Sequence, residues 1–162
     1  MRTVITRRSC GITWDDRRVA ACVVRSGLAQ FAVERVVVVP RDPAKAVGED
    51  IRSLSEKLEG PVDICVTALP EVDLMYRRVT RPFADRGKIR QTIGPEVESM
   101  LPAIDSMPVF DFVLTGTDAE GAHVVQALCA RTSRVAALVE TLKSSFHDPE
   151  IVDCPSVAVA AG

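Results

Sequence analysis

At 162 residues the chain suits one domain, or a small domain carrying an insertion. Its 20 Lys and Arg are scattered and balanced by 22 Asp and Glu, which excludes a basic nucleic-acid face. No apolar run approaches the roughly 20 residues needed to span a bilayer, and no apolar segment follows the N-terminal charges as in a signal peptide. The sequence therefore predicts a soluble, cytoplasmic chain. Its last residues, Val-Ala-Val-Ala-Ala-Gly, carry no charged tail and predict a piece of something longer.

Aromatic residues are few, so the core is expected to be aliphatic. Cysteines stand at 10, 22, 65, 129 and 154, and no two have metal or redox spacing. Those at 10, 22, 65 and 129 lie in or beside Val- and Ala-rich runs, where a free thiol behaves as a small buried hydrophobe. An odd number of dispersed thiols fits a reducing compartment.

In chain order, residues 10–14 read as a strand and Asp15-Asp16-Arg17 as a polar turn. Strands follow at 18–25 and 31–40, linked through Ser26-Gly27, which makes a three-strand meander. The unbroken run Val36-Val37-Val38-Val39 predicts burial on both faces. Asp42-Pro43 has the chemistry of a helix start, a capping carboxylate and a proline whose missing N–H costs nothing there. Val47, Ile51, Leu54 and Leu58 then mark one helical face, and Gly60-Pro61 ends it. A buried strand is expected over 62–69, giving a mixed sheet with a helix on one face.

A strand over 75–82 leads into a helix capped by Asp85, with Ile89, Ile93, Val97, Met100 and Leu101 as its apolar stripe. Lys88, Gln91, Pro95 and Glu98 fall on the opposite side. Gly94-Pro95 predicts a kink or two short helices, since an interior proline costs ~3 kcal/mol and a glycine ~1. Strands at 109–115 and 122–130 form a second hairpin around a turn at 118–121. Residues 132–146 form a helix with Val135, Leu138, Val139 and Leu142 inward; a short strand follows at 151–153, and a further helix begins at 155.

No residue group proclaims catalysis. No phosphate loop of the G-x-x-x-x-G-K kind occurs. Glu96 and Glu98 are two apart on a helix and do not face each other. His123 and His147 have no Cys or Ser neighbour in sequence and sit at element ends.

Three segments carry a family resemblance. The first is Cys10-Gly11-Ile12-Thr13-Trp14 with Arg18-Val19-Ala20-Ala21, and the second is Ala68-Leu69-Pro70 with Arg77-Arg78-Val79 and Pro82-Phe83. The third runs from Lys88-Ile89-Arg90-Gln91 through Glu96-Val97-Glu98 and Leu101-Pro102 to Phe110-Asp111-Phe112. In this order they resemble the cytoplasmic part of type II secretion protein L (GspL) and its type IV pilus relative PilM. The resemblance implies an α/β fold, an RNase H-like (actin-like ATPase) half-domain with a mixed sheet. Residues 1–74 plus 131–162 would form that subdomain, and 75–130 an inserted strand-helix-strand-strand module.

Active members of the actin-like group place an Asp on the first strand and a Gly in the turn, so that backbone amides approach phosphate. Thr13 stands for the Asp and Asp15 for the Gly, followed by Asp16. Two turn carboxylates repel phosphate, so the expectation is a degenerate nucleotide loop, no cofactor, no metal and no enzyme. The resemblance implies a structural adaptor at the cytoplasmic face of the bacterial inner membrane, contacting the secretion ATPase GspE and the platform proteins GspF and GspM. A homodimer is open, and membrane contact would come only through a segment outside this sequence. The alternative is a PilM-like nucleotide-binding protein of pilus assembly. The expected partner surface is Lys88, Gln91, Pro95 and Glu98.

Overall fold

The computed structural model describes residues 6–28, 30–98, 108–145 and 147–156, with the backbone alone at 99 and 100. The chain divides into two compact units, Met1–Leu69 with Ala137–Gly162, and Pro70–Ala136. The cuts fall near residues 70 and 136, against 75 and 130 read from the sequence.

The first unit is built on a five-stranded mixed sheet in the order β3-β2-β1-β4-β8. Strands β1 (Arg7–Trp14), β2 (Arg18–Ser26) and β3 (Phe31–Pro40) form the antiparallel meander. Strand β4 (Ile64–Ala68) runs parallel to β1, and β8 (Ile151–Asp153) parallel to β4. Alternation along β1 and β2 sends Cys10, Ile12, Val19, Ala21 and Val23 to one face. There they meet Ile51 and Leu54 of α1 (Val47–Ser55), Cys65 of β4, and Leu142 of α3 (Thr132–Lys143). Burying each such aliphatic chain contributes roughly 1.5–3 kcal/mol.

Two expectations fail here. Val36 and Val38 are 63% and 54% exposed, and only Val39 of that run is buried. The described residues cover only one face of this sheet, so the valines of β3 alternate between a covered and an uncovered face, as the residues of β2 do. Asp42 does not cap a helix. Its Oδ1 accepts from the Ala44 amide (3.0 Å) and its carbonyl from the Lys45 amide (3.0 Å), closing a turn. Helix α1 starts only at Val47, after Ala46, with no side-chain cap. An Asx turn and a helix cap use the same carboxylate-to-amide chemistry, so the sequence does not separate them.

Helices α1 and α3 approach closely at Gly48. A Cβ there would lie 2.9 Å from the Ser145 hydroxyl, which is fully buried and bonded to the Thr141 and Gly48 carbonyls (2.9 and 3.1 Å).

In the second unit, a 3₁₀ turn (Glu71–Asp73) precedes β5 (Leu74–Arg81). Strands β6 (Val109–Thr117) and β7 (His123–Ala130) complete an antiparallel sheet in the order β5-β7-β6. Helix α2 (Arg86–Met100) lays Ile89, Ile93 and Val97 on Val79, Phe112, Val125, Ala127 and Cys129. Asp85 caps it, accepting from the Lys88 amide at 2.8 Å, as expected. The helix runs unbroken through Pro95, which overturns the two-helix alternative. Gly94 has a packing reason, since a Cβ there would meet the Phe110 ring at 3.2 Å. Met100 lies outside the described side chains, and Leu101 outside the described residues.

Candidate functional site

The site residues expected from the sequence lie in two places, one in each unit. In the first unit, the β1–β2 turn is closed on itself. The Asp15 carboxylate accepts from the amides of Arg17 (2.7 Å) and Arg18 (2.9 Å), and the Asp15 amide donates to the Arg18 carbonyl (3.0 Å). The two backbone bonds, Arg17 first, hold its carboxyl below the ordinary carboxylate range. The turn's own carboxylate therefore occupies both amides. Asp16 is fully exposed, 3.8 Å from the Arg41 guanidinium; the Arg41 amide donates to the Arg17 carbonyl (2.8 Å). Thr13 is exposed at the end of β1, on the face opposite Cys10 and Ile12. Thr13, Asp15 and Asp16 thus share one hairpin end, with Arg18, paired with Asp15 at 3.3 Å, and Arg41 as neighbouring cations. Sequence reading missed Arg41 because it is brought there by β2–β3 pairing, not by any local motif.

In the second unit, Lys88, Gln91, Pro95 and Glu98 are all exposed, on the side of α2 away from its fully buried Ile89, Ile93 and Val97. Their spacings of three, four and three residues place them on one stripe. Flanking it, Glu96 pairs with Arg81. Arg90 pairs with Asp111 at 3.0 Å, and the guanidinium groups of Arg86 and Arg90 lie 5.1 and 5.8 Å from the centre of the Phe112 ring. This is a charged and polar helix face.

The other titratable groups sit in structural settings. Cys10 and Cys65 are register partners on parallel strands, and both are buried. Burial pushes them up to about 11 and about 12, helped at Cys10 by the Cys22 thiol and at Cys65 by Cys10, Glu150 and Asp148. His147 is half-buried, with Nε2 2.5 Å from the Ser55 hydroxyl, and burial lowers its pKa. The Ser55 hydroxyl also lies 2.7 Å from the Ile51 carbonyl, to which it donates, so a proton between Ser55 and His147 comes from the ring's Nε2. That partner is 92 residues away in sequence, beyond any local reading. Among the described residues no group of three or more His, Cys, Asp and Glu is placed to hold a metal, and no helix is long and apolar enough to cross a membrane.

These features define a two-unit α/β chain whose candidate sites are a self-closed hairpin turn and an exposed helix face. No protein-family model matches the sequence, and no curated protein does. Solved structures do share the fold. The chain is similar to the structure described as the "PilM-PilN type IV pilus biogenesis complex", with a TM-score of 0.78 and 20% identity over 93% of this chain. It is also similar to the cytoplasmic domain of EpsL, an inner membrane component of the type II secretion system of Vibrio cholerae, with a TM-score of 0.58 and 12% identity over 90% of this chain. It spans 48% and 57% of those two chains, about half of their lengths.

Proposed function

We propose that this chain is a non-enzymatic structural adaptor, built on an RNase H-like, actin-like half-domain, in the inner-membrane platform of a type II secretion system. In that role it docks the cytoplasmic secretion ATPase, GspE, to the membrane components GspF and GspM. The likeness to the EpsL cytoplasmic domain and to the PilM-PilN complex supports this reading at the level of fold. The observation that carries the non-enzymatic part is the self-closed turn. The Arg17 and Arg18 amides are committed to Asp15, and Thr13 offers a neutral hydroxyl where the resemblance calls for a carboxylate. A phosphate would have to displace an internal carboxylate and then face Asp16. The stripe Lys88, Gln91, Pro95 and Glu98 is the proposed partner surface.

A second reading, a PilM-like nucleotide-binding protein of pilus assembly, is favoured by the higher TM-score with the PilM-PilN structure. Titration calorimetry with magnesium ATP separates the two. The adaptor reading expects no saturable heat and no phosphate release. Stoichiometric binding with magnesium-dependent turnover overturns it.

A further inference from the structure

The β2–β3 hairpin ends in a loop, residues 27–30, closed by the Gly27 amide on the Gln30 carbonyl (2.8 Å). Leu28 in that loop is 92% exposed, and Phe31, where β3 begins, is 79% exposed. Neither side chain belongs to the core of its unit, so neither is there to hold the fold. Tight turns are ordinarily filled by Gly, Asn, Asp and Ser, which serve the backbone without exposing apolar surface. Leu28 and Phe31 border one shallow hollow, beside Arg25 and Gln30.

The registers order the charges behind this tip. Phe31 pairs with Ser26 and Ser26 with Arg7, one row across three strands. The next row, about 3.3 Å further from the tip, is Ala32, Arg25 and Arg8. Arg8 and Arg25 both bind Glu34, so one carboxylate meets two guanidinium groups. The Asp63 carboxylate is turned to the Arg8 amide (2.7 Å). Arg7 is exposed and forms no ion pair among the described residues. Apolar side chains therefore stand outermost, with an uncompensated cation immediately behind them.

We infer that this hairpin end docks on the surface of an anionic lipid bilayer. Leu28 and Phe31 enter the boundary between headgroups and acyl chains, and Arg7 and Arg25 meet the headgroup phosphates. The order fits the depth profile of a bilayer, apolar first and phosphate a few ångströms behind, and the long arginine stems can follow the headgroups. Apolar insertion and attraction to anionic lipid act together, the combination by which a protein without a spanning segment holds to a membrane. A protein cover fits less well. Two side chains make a patch far smaller than the ~800 Å² per partner of a stable protein–protein interface. A further segment of the same polypeptide lying on the tip would have to strip water from Arg7, to which the described residues offer no carboxylate. The inference rests on the hairpin end alone and stands whether or not the adaptor reading does.

The test is flotation of the whole chain with vesicles of phosphatidylcholine, alone or with added phosphatidylglycerol. Binding is expected on the phosphatidylglycerol vesicles only, and should weaken as salt is raised. Leu28→Ser and Phe31→Ser should each weaken it at least tenfold, and Arg7→Gln at least threefold, with thermal unfolding unchanged because all three side chains are exposed. Leu28→Trp reports the position of the tip, since lipids brominated in the upper acyl chain should quench its fluorescence. The chain spans about half of the solved chains it resembles, so the same reporter is read in the whole gene product, as the quenching gained over the unsubstituted protein. Gained quenching is expected in both. No vesicle binding, equal binding to both lipids, or undiminished binding by the Ser variants would overturn the inference. So would quenching gained in the chain and absent in the whole gene product, since the rest of the polypeptide would then cover the tip. A dimer in sedimentation that Phe31→Ser dissociates would overturn it too, the occupant then being a second copy.

Discussion

Gly48→Ala isolates the contact between α1 and α3. Alanine is intrinsically the better helix former, by up to about 1 kcal/mol in a helix interior and less in the first turn, where Gly48 sits. Against that, the new methyl would lie 2.9 Å from the Ser145 hydroxyl, at least ~0.5 Å inside ordinary contact. Ser145 is fully buried and held by two carbonyls, so it cannot swing into solvent. Overpacking costs about 1–3 kcal/mol, and a weakened buried hydroxyl adds to it. The packing loss wins, and the net is a destabilisation of about 1–2 kcal/mol, read by urea unfolding. Ser145→Ala removes the obstructing oxygen, so the double variant should be at least ~1 kcal/mol more stable than the sum of the two singles. A Gly48→Ala chain as stable as wild type, or additive singles, would refute the reasoning.

Further outcomes follow from the same geometry. Phe112→Ala empties the centre of the second unit, where Phe112 is 2% exposed, and should cost about 3–5 kcal/mol, visible as lost amide protection in β5, β6 and β7. Cys10 and Cys65, raised from 9.0 to about 11 and about 12, stabilise the fold fully below pH 9; that contribution disappears as pH climbs through 11 and 12, at about 1.4 kcal/mol per pKa unit. Alkaline unfolding should flatten in a Cys10→Ala/Cys65→Ala chain, and native-state alkylation should mark half-buried Cys22 before either. His147 acts at the other end. Its lowered value means stability is full above about pH 6.5 and falls as pH drops toward the folded value, a slope that His147→Gln should remove. Gln91→Glu combined with Glu98→Lys should leave unfolding unchanged and weaken capture of the partner ATPase at least tenfold.

The meander was legible because apolar runs at 18–25 and 31–40 are joined through Ser26-Gly27 and preceded by the polar turn Asp15-Asp16-Arg17, and the second hairpin because Asp118 and Gly121 carry plain turn chemistry. Asp118 indeed accepts from the Ala122 amide at 2.7 Å, and Gly121 takes φ 82°. Asp15-Asp16 was readable as a polar turn for the same reason. Its hold on the amides of Arg17 and Arg18 depends on the path of the turn in space. The run Val36–Val39 misled because a valine string looks the same whether helices cover one face of its sheet or both, and that cover is not written locally. Asp42 misled because turn and cap use one chemistry. Arg41 beside Asp16, Ser55 on His147 and Gly48 under Ser145 are contacts between residues 25–97 apart, joined only by topology. The outer stripe of α2 was readable from the helical period alone, because its opposite side is strictly apolar at Ile89, Ile93 and Val97.

Capture of the N-terminal domain of the cognate secretion ATPase by the immobilised, folded chain tests the adaptor claim most directly. A saturable complex is expected, with an affinity unchanged by magnesium ATP and lowered when the Lys88, Gln91, Pro95 and Glu98 stripe is altered. No complex from a chain that unfolds cooperatively, or a complex that forms only with ATP bound to this chain, would contradict it.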